Sequence, residues 1–154
     1  MAILEYASII HRQRLKTGLS QEELASRIGT SETRIQKWEA GETLPNLMQV
    51  PLLCAALHLS YDDFFSLQGK TKRRQHRKNQ TLPMYQISYF PVMCNVTMQY
   101  YRRLRKLSVQ DFAERCSVSE TLVQKWEAGK SIPKLDIIPV ICNALEIRIW
   151  QFFE

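Results

Sequence analysis

"SETRIQKWEAG" (residues 31–41) and "SETLVQKWEAG" (residues 119–129) are nearly the same eleven letters, set 88 positions apart, and differ only at Arg34 against Leu122 and Ile35 against Val123. Such a repeat is either a copied peptide or the most visible part of a copied domain, and the flanking residues decide which. Sliding the chain over itself by 88 positions makes half of the letters identical between residues 20–45 and 108–133. Where they differ, apolar residues mostly replace apolar ones: Leu24 for Phe112, Ile28 for Cys116, Leu44 for Ile132. Further on, Leu47 matches Leu135, Leu57 matches Leu145, and "DDFF" at 62–65 meets "WQFF" at 150–153. A preserved apolar spacing is a preserved core, so a whole domain was duplicated. The sequence divides into a unit at residues 1–66, a linker at 67–94 and a second unit at 95–154, each unit near the roughly 60-residue lower range of self-sufficient cores.

Within each unit the periodicity is helical. "ILEYASIIHRQRLK" puts Ile3, Tyr6, Ala7, Ile10 and either Gln13 or Arg14 on one stripe. Ser20 followed by Glu23 has capping-box spacing, and Ser108 followed by Asp111 is a weaker version of it. Ser31 and Ser119 then open a second helix, which Gly41 and Gly129 close as left-handed residues. Two short helices about three residues apart make a helix-turn-helix. A fourth helix follows Pro45 and Pro133, its start delayed or kinked by Pro51 and Pro139, and a short fifth ends in the Phe pairs.

Composition narrows the function. No apolar run approaches the ~18 to 20 residues of a membrane span, and the N-terminus lacks the basic start and apolar core of a signal peptide, so a cytoplasmic home is expected. Cys54, Cys94, Cys116 and Cys142 form no C-x-x-C pair and have no His at ligand spacing, so they read as small core residues and no metal or other cofactor is expected. His11, His58 and His76 share no spacing, and no nucleophile or carboxylate cluster suggests an enzyme. Trp38 and Trp126 fall among core positions.

The stretch "LSQEELASRIGTSETRIQKWEAGETLP" resembles the lambda-repressor-like helix-turn-helix of the Cro and XRE regulators, and "LSVQDFAERCSVSETLVQKWEAGKSIP" resembles it too. The second stretch departs at Val109, where the first has Gln21, and at Ser117, where the first has Gly29. The resemblance implies an all-α fold of two tandem five-helix domains joined by a basic, partly extended linker. It implies that residues 32–40 and 120–128 lie in the major groove of double-stranded DNA. DNA contacts are then expected at Ser31, Glu32, Thr33, Gln36 and Lys37, with Gln21 at the phosphate backbone, and at Ser119, Glu120, Thr121, Gln124 and Lys125. Chemically, Gln bonds adenine in two places, Lys favours guanine or phosphate, and Glu accepts from cytosine. The resemblance also implies internal ion pairs of Glu39 with Arg14 and of Glu127 with Arg102.

Charge is unevenly placed. Lys plus Arg against Asp plus Glu stand at six against eight in residues 1–66, six against none in 67–94 and nine against seven in 95–154. The linker cations Lys70, Lys72, Arg73, Arg74, Arg77 and Lys78 therefore equal the whole excess of +6 and predict a phosphate-seeking arm whose grip weakens with salt. Tyr85, Ile87 and Tyr89 alternate with polar residues in a strand-like period and predict a packing surface for the domains or for a homodimer or protein partner. Two matching heads predict two similar half-sites, about 34 Å apart if on successive groove faces, as for a repressor. The alternative is an interaction protein, such as an antitoxin or a phage-encoded inhibitor, that binds a protein or RNA through one unit or the linker.

Overall fold

The computed structural model describes residues 2–66 and 90–153. The chain divides into two compact units, Met1–Leu82 and Pro83–Glu154. Among the described residues every regular element is a helix. The first unit comprises α1 (Ala2–Lys16), α2 (Gln21–Ile28), α3 (Glu32–Glu39), a 3-10 turn at Leu47–Gln49, α4 (Val50–Ala56) and α5 (Tyr61–Phe65). The second repeats the order: α6 (Phe90–Leu104), α7 (Val109–Cys116), α8 (Glu120–Glu127), a 3-10 turn at Leu135–Ile137, α9 (Ile138–Ala144) and α10 (Ile149–Phe152). The all-α, twice-five-helix architecture is thus observed. The linker cations and the Tyr85, Ile87 and Tyr89 surface lie outside the described residues.

Local chemistry explains most helix limits. Ser20 accepts from the Glu23 N–H at 3.0 Å while Glu23 accepts from the Ser20 N–H at 2.7 Å, and Ser108 with Asp111 closes the same box at 2.9 Å in both directions. Ser31 and Ser119 cap α3 and α8. Pro51 and Pro139 sit in the first turns of α4 and α9, where no N–H is required, and the residues before them wind as 3-10 turns. α6 begins at Phe90, so residues 90–94 are helical, and Cys94 is buried. Pro91 falls in the first turn of α6, where no N–H is required.

Each unit closes around its own core. Tyr6, Ile10, Leu24, Ile35, Trp38, Leu53, Leu57 and Phe64 are buried in the first; Met98, Phe112, Val123, Trp126, Ile141, Leu145 and Phe152 are buried in the second. Each such side chain contributes about 1.5–3 kcal/mol of burial. The α1 stripe is buried at Tyr6, Ala7, Ile10 and Arg14, whereas Ile3 at its start is exposed. Gln13 also turns inward, its amide donating to the Leu57 carbonyl at 3.0 Å. All four cysteines are buried, as small core residues.

The turns repeat as faithfully as the helices. Left-handed backbone recurs at Gly18 and Lys106, Gly29 and Ser117, Gly41 and Gly129, and His58 and Glu146. Glycine is kept in both copies only at 41 and 129. A Cβ at Gly18 or Gly29 meets nothing within 4 Å, so Lys106 and Ser117 fit there at the cost of conformation alone. A Cβ at Gly129 meets the Asn95 amide at 3.3 Å, and that amide donates to the Glu127 carbonyl at the end of α8. Ser117→Gly is therefore expected to stabilise the second unit by up to about 1 kcal/mol, and Gly129→Ser to destabilise it by more than that, in thermal melts of the whole chain. An unchanged melting temperature for Gly129→Ser would contradict this account of the turn.

Candidate nucleic-acid interface

The helix that follows each turn is held from below and bare above. In α3, Ile35 and Trp38 are buried while Ser31, Glu32, Thr33, Gln36 and Lys37 are exposed. At about 100° per residue, Thr33 and Lys37 point away from the buried pair, Glu32 and Gln36 share one flank, and Arg34 takes the other. Gln36 donates to Glu32 at 3.4 Å along that flank. In α8 the same exposed set recurs as Ser119, Glu120, Thr121, Gln124 and Lys125, above buried Val123 and Trp126. Both expected clusters are thus brought together on one surface each. Ser31 and Ser119 have a second task, since their side-chain oxygens accept from Arg34 N–H at 3.4 Å and Leu122 N–H at 3.3 Å.

The ends of these helices are fixed by ion pairs. Arg14 donates from Nε to Glu39 Oε1 at 2.6 Å and from Nη2 to Oε2 at 2.9 Å, while its Nη1 donates to the Leu19 carbonyl at 2.9 Å. Arg102 holds Glu127 at the same 2.6 and 2.9 Å and the Leu107 carbonyl at 2.8 Å. One guanidinium thus joins the first helix, the following turn and the exposed helix of each unit, in the bidentate geometry that suits arginine.

The first unit adds two partners that sequence reasoning did not place there. His11 Nδ1 lies 2.8 Å from Glu39 Oε2, and Gln21 Nε2 donates to the same oxygen at 2.9 Å. Gln21, expected at the phosphate backbone, is half-buried with its amide engaged in this network. In the second unit Gln99 and Val109 stand at those positions, and the Val109 side chain has nothing to donate. The 88-residue offset carries the signal, because Gln21 is replaced by an apolar residue while the Arg and Glu are retained.

No group of ligating side chains suited to a metal ion occurs among the described residues, and no described helix is long and apolar enough to cross a membrane. A helix-turn-helix family model matches residues 10–64 and again 98–149. The chain therefore belongs to the Cro/XRE-type helix-turn-helix family, in two tandem copies, and its function is of the DNA-binding, transcription-regulating kind. Comparison with curated proteins and with solved structures gave no match.

Burial opposes the Glu39 charge, but hydrogen bonds from Arg14, His11 and Gln21 outweigh it and hold the carboxyl at about 2, against an ordinary 4.5. A carboxyl depressed on folding contributes stability that is complete above about 4.5 and is lost as pH falls toward about 2. Melting temperature measured in pH steps is expected to fall through that window. Glu39→Gln should lower it at neutral pH, by leaving Arg14 unpaired, and flatten its acid dependence. An acid limb of the same steepness in the variant would exclude Glu39 as its source.

Proposed function

We propose that the chain is a cytoplasmic, sequence-specific transcriptional repressor that reads two similar half-sites in double-stranded DNA with α3 and α8. The observation that carries this reading is the retention, across the duplication, of letters that no core requires. Ser, Glu, Thr, Gln and Lys occupy the same outward positions of both helices, while the adjoining α1 and α6 have diverged on their outer faces. A pair of matching helices on one chain is the intramolecular counterpart of the dimer by which such motifs span two half-sites. Gln36 and Gln124 are suited to adenine, Lys37 and Lys125 to guanine or phosphate, and Glu32 and Glu120 to the cytosine amino group.

Selection of bound sequences from a random duplex library by the full-length protein tests this directly. Two copies of one related half-site are expected; a single half-site removes one head from the reading role, and no enrichment sinks the proposal. On the selected duplex, Gln36→Ala with Lys37→Ala should weaken binding by about 1–3 kcal/mol for each base that is no longer read, with the fold intact. Gln124→Ala with Lys125→Ala should do the same at the other half-site.

A second reading, an interaction protein, is favoured by one feature. On α6, Val96, Tyr100 and Leu104 are 58, 59 and 53 % exposed, at a spacing that lines them along one face. Ser8, Arg12 and Lys16 hold the same positions in α1. Transplanting those residues onto α6 as Val96→Ser, Tyr100→Arg and Leu104→Lys leaves DNA affinity unchanged on the favoured reading. On that reading oligomeric state is also unchanged, and a loss of self-association in sedimentation velocity would move weight to the second.

A further inference from the structure

The duplication supplies its own control: at each exposed position where the copies differ, one copy shows what the fold does not need. The outward letters of α3 and α8 agree, but the rim that follows them does not. Glu42 and Asn46 are exposed after α3, and Lys130 and Lys134 are exposed at the same positions after α8. The backbone path is shared. Glu42 and Thr43 donate to the Lys37 carbonyl at 2.9 and 3.4 Å, and Lys130 and Ser131 donate to the Lys125 carbonyl at 2.9 and 3.3 Å. Residues 42 and 130 therefore spring from equivalent points beside the reading helix, with opposite charge. At the start of α2 and α7, exposed Glu22 is likewise replaced by Gln110. Arg34 against Leu122 runs the other way, on the flank away from Glu32.

Lys134 carries a local cost that Asn46 does not. Asn46 Oδ1 accepts from the Gln49 N–H at 3.1 Å, and Gln49 Oε1 accepts from the Asn46 N–H at 3.1 Å, closing a capping box on the 3-10 turn. Lys134 occupies the same position with φ −69° and ψ 157° and makes no side-chain cap, and Ile137 replaces Gln49. A lysine there forfeits the cap and sets a cation at the positive end of a helical turn. Local violations of this kind are expected where a surface serves a ligand rather than the fold. A polyanion beside Lys125, Lys130 and Lys134 is a ligand that offsets the cost.

We infer that the two heads are unequal: the second unit is the anchor, gripping the DNA phosphate backbone through Lys130 and Lys134. The first unit, with the same reading residues and an acidic rim at Glu22 and Glu42, is a reader that engages because it is tethered. This rests on the DNA-reading assignment of α3 and α8. Each lysine set against a phosphate releases a counterion and adds sequence-independent affinity, whereas Glu42 repels the same backbone. Once the anchor is seated, the first unit is carried to the same duplex by the shared chain, so its binding becomes intramolecular and it needs little attraction of its own. Its engagement then depends on base contacts, which carry the sequence information.

The test uses the full-length protein and a mixed-sequence duplex of about 30 base pairs, with affinity read by fluorescence anisotropy across a series of salt concentrations. Lys130→Glu is expected to weaken binding about tenfold or more at low salt and to lower the magnitude of the salt slope by about one for each phosphate that is no longer neutralised. The mirror change, Glu42→Lys, is expected to tighten binding and steepen the slope. Lys134→Asn should weaken binding while raising the melting temperature, because it restores a cap, and a purely structural role for Lys134 does not give those opposite signs. A Lys130→Glu protein that matches the parent in affinity and slope would overturn the inequality alone. A parent without salt-dependent binding to any duplex would overturn the DNA-reading assignment with it.

Discussion

A buried carboxylate at the wrong end of a helix is the constraint on which each unit depends. Glu39 and Glu127 close α3 and α8 at the C-terminal, negative end of the helix dipole, with side chains 5 and 8 % exposed. Left alone there, a carboxylate is strongly destabilising, and removing one member of a buried pair costs about 3–5 kcal/mol. Arg14 and Arg102 reverse the balance, with each guanidinium also satisfying the carbonyl of Leu19 or Leu107. The exposed helix is thereby oriented from beneath, by groups that never reach its outer face. That separation lets the outer letters answer to a ligand while the inner ones answer to the fold.

The remaining precision comes from turns. α2, α3, α7 and α8 are eight residues each, too short to persist alone in water, so packing and chain reversals define them. Left-handed residues recur at four matched places in the two units. At three of them non-glycine residues occur, and Lys106, Ser117, His58 and Glu146 are accommodated with exposed side chains. Only where the residue after the exposed helix passes against the first helix is glycine found twice.

What was legible in the sequence follows from this division. The helix order, the Ser20 and Ser108 boxes, the Gly41 and Gly129 caps and the delaying prolines are local rules, and local rules are written in neighbouring letters. The Arg14–Glu39 and Arg102–Glu127 pairs came from family resemblance, because partners 25 residues apart leave no local trace. Ser117 and Lys106 gave no sign of left-handed backbone, since only glycine or asparagine announces it. The contacts of Gln21 and His11 with Glu39 gave no sign either, since those partners lie 18 and 28 residues away along the chain. The outward clusters on α3 and α8 were readable as a set, whereas the contrast between Lys134 and Asn46 acquires meaning only once the cap is seen to be made in one copy and missing in the other.

Carrying two heads on one chain changes what substitution can do. In a twofold dimer every change appears twice, so a charge placed to strengthen one head strengthens both. Here the copies have parted at Gln21 and Val109, at Glu42 and Lys130, and along the outer faces of α1 and α6, while Ser, Glu, Thr, Gln and Lys stayed in register on the exposed helices. On the proposed reading, the parts that stayed equal match a shared sequence preference, and the opposite rim charges at Glu42 and Lys130 set how strongly each head is drawn to any backbone. Affinity and recognition, which a symmetric dimer must adjust together, are thus open to separate adjustment within a single polypeptide.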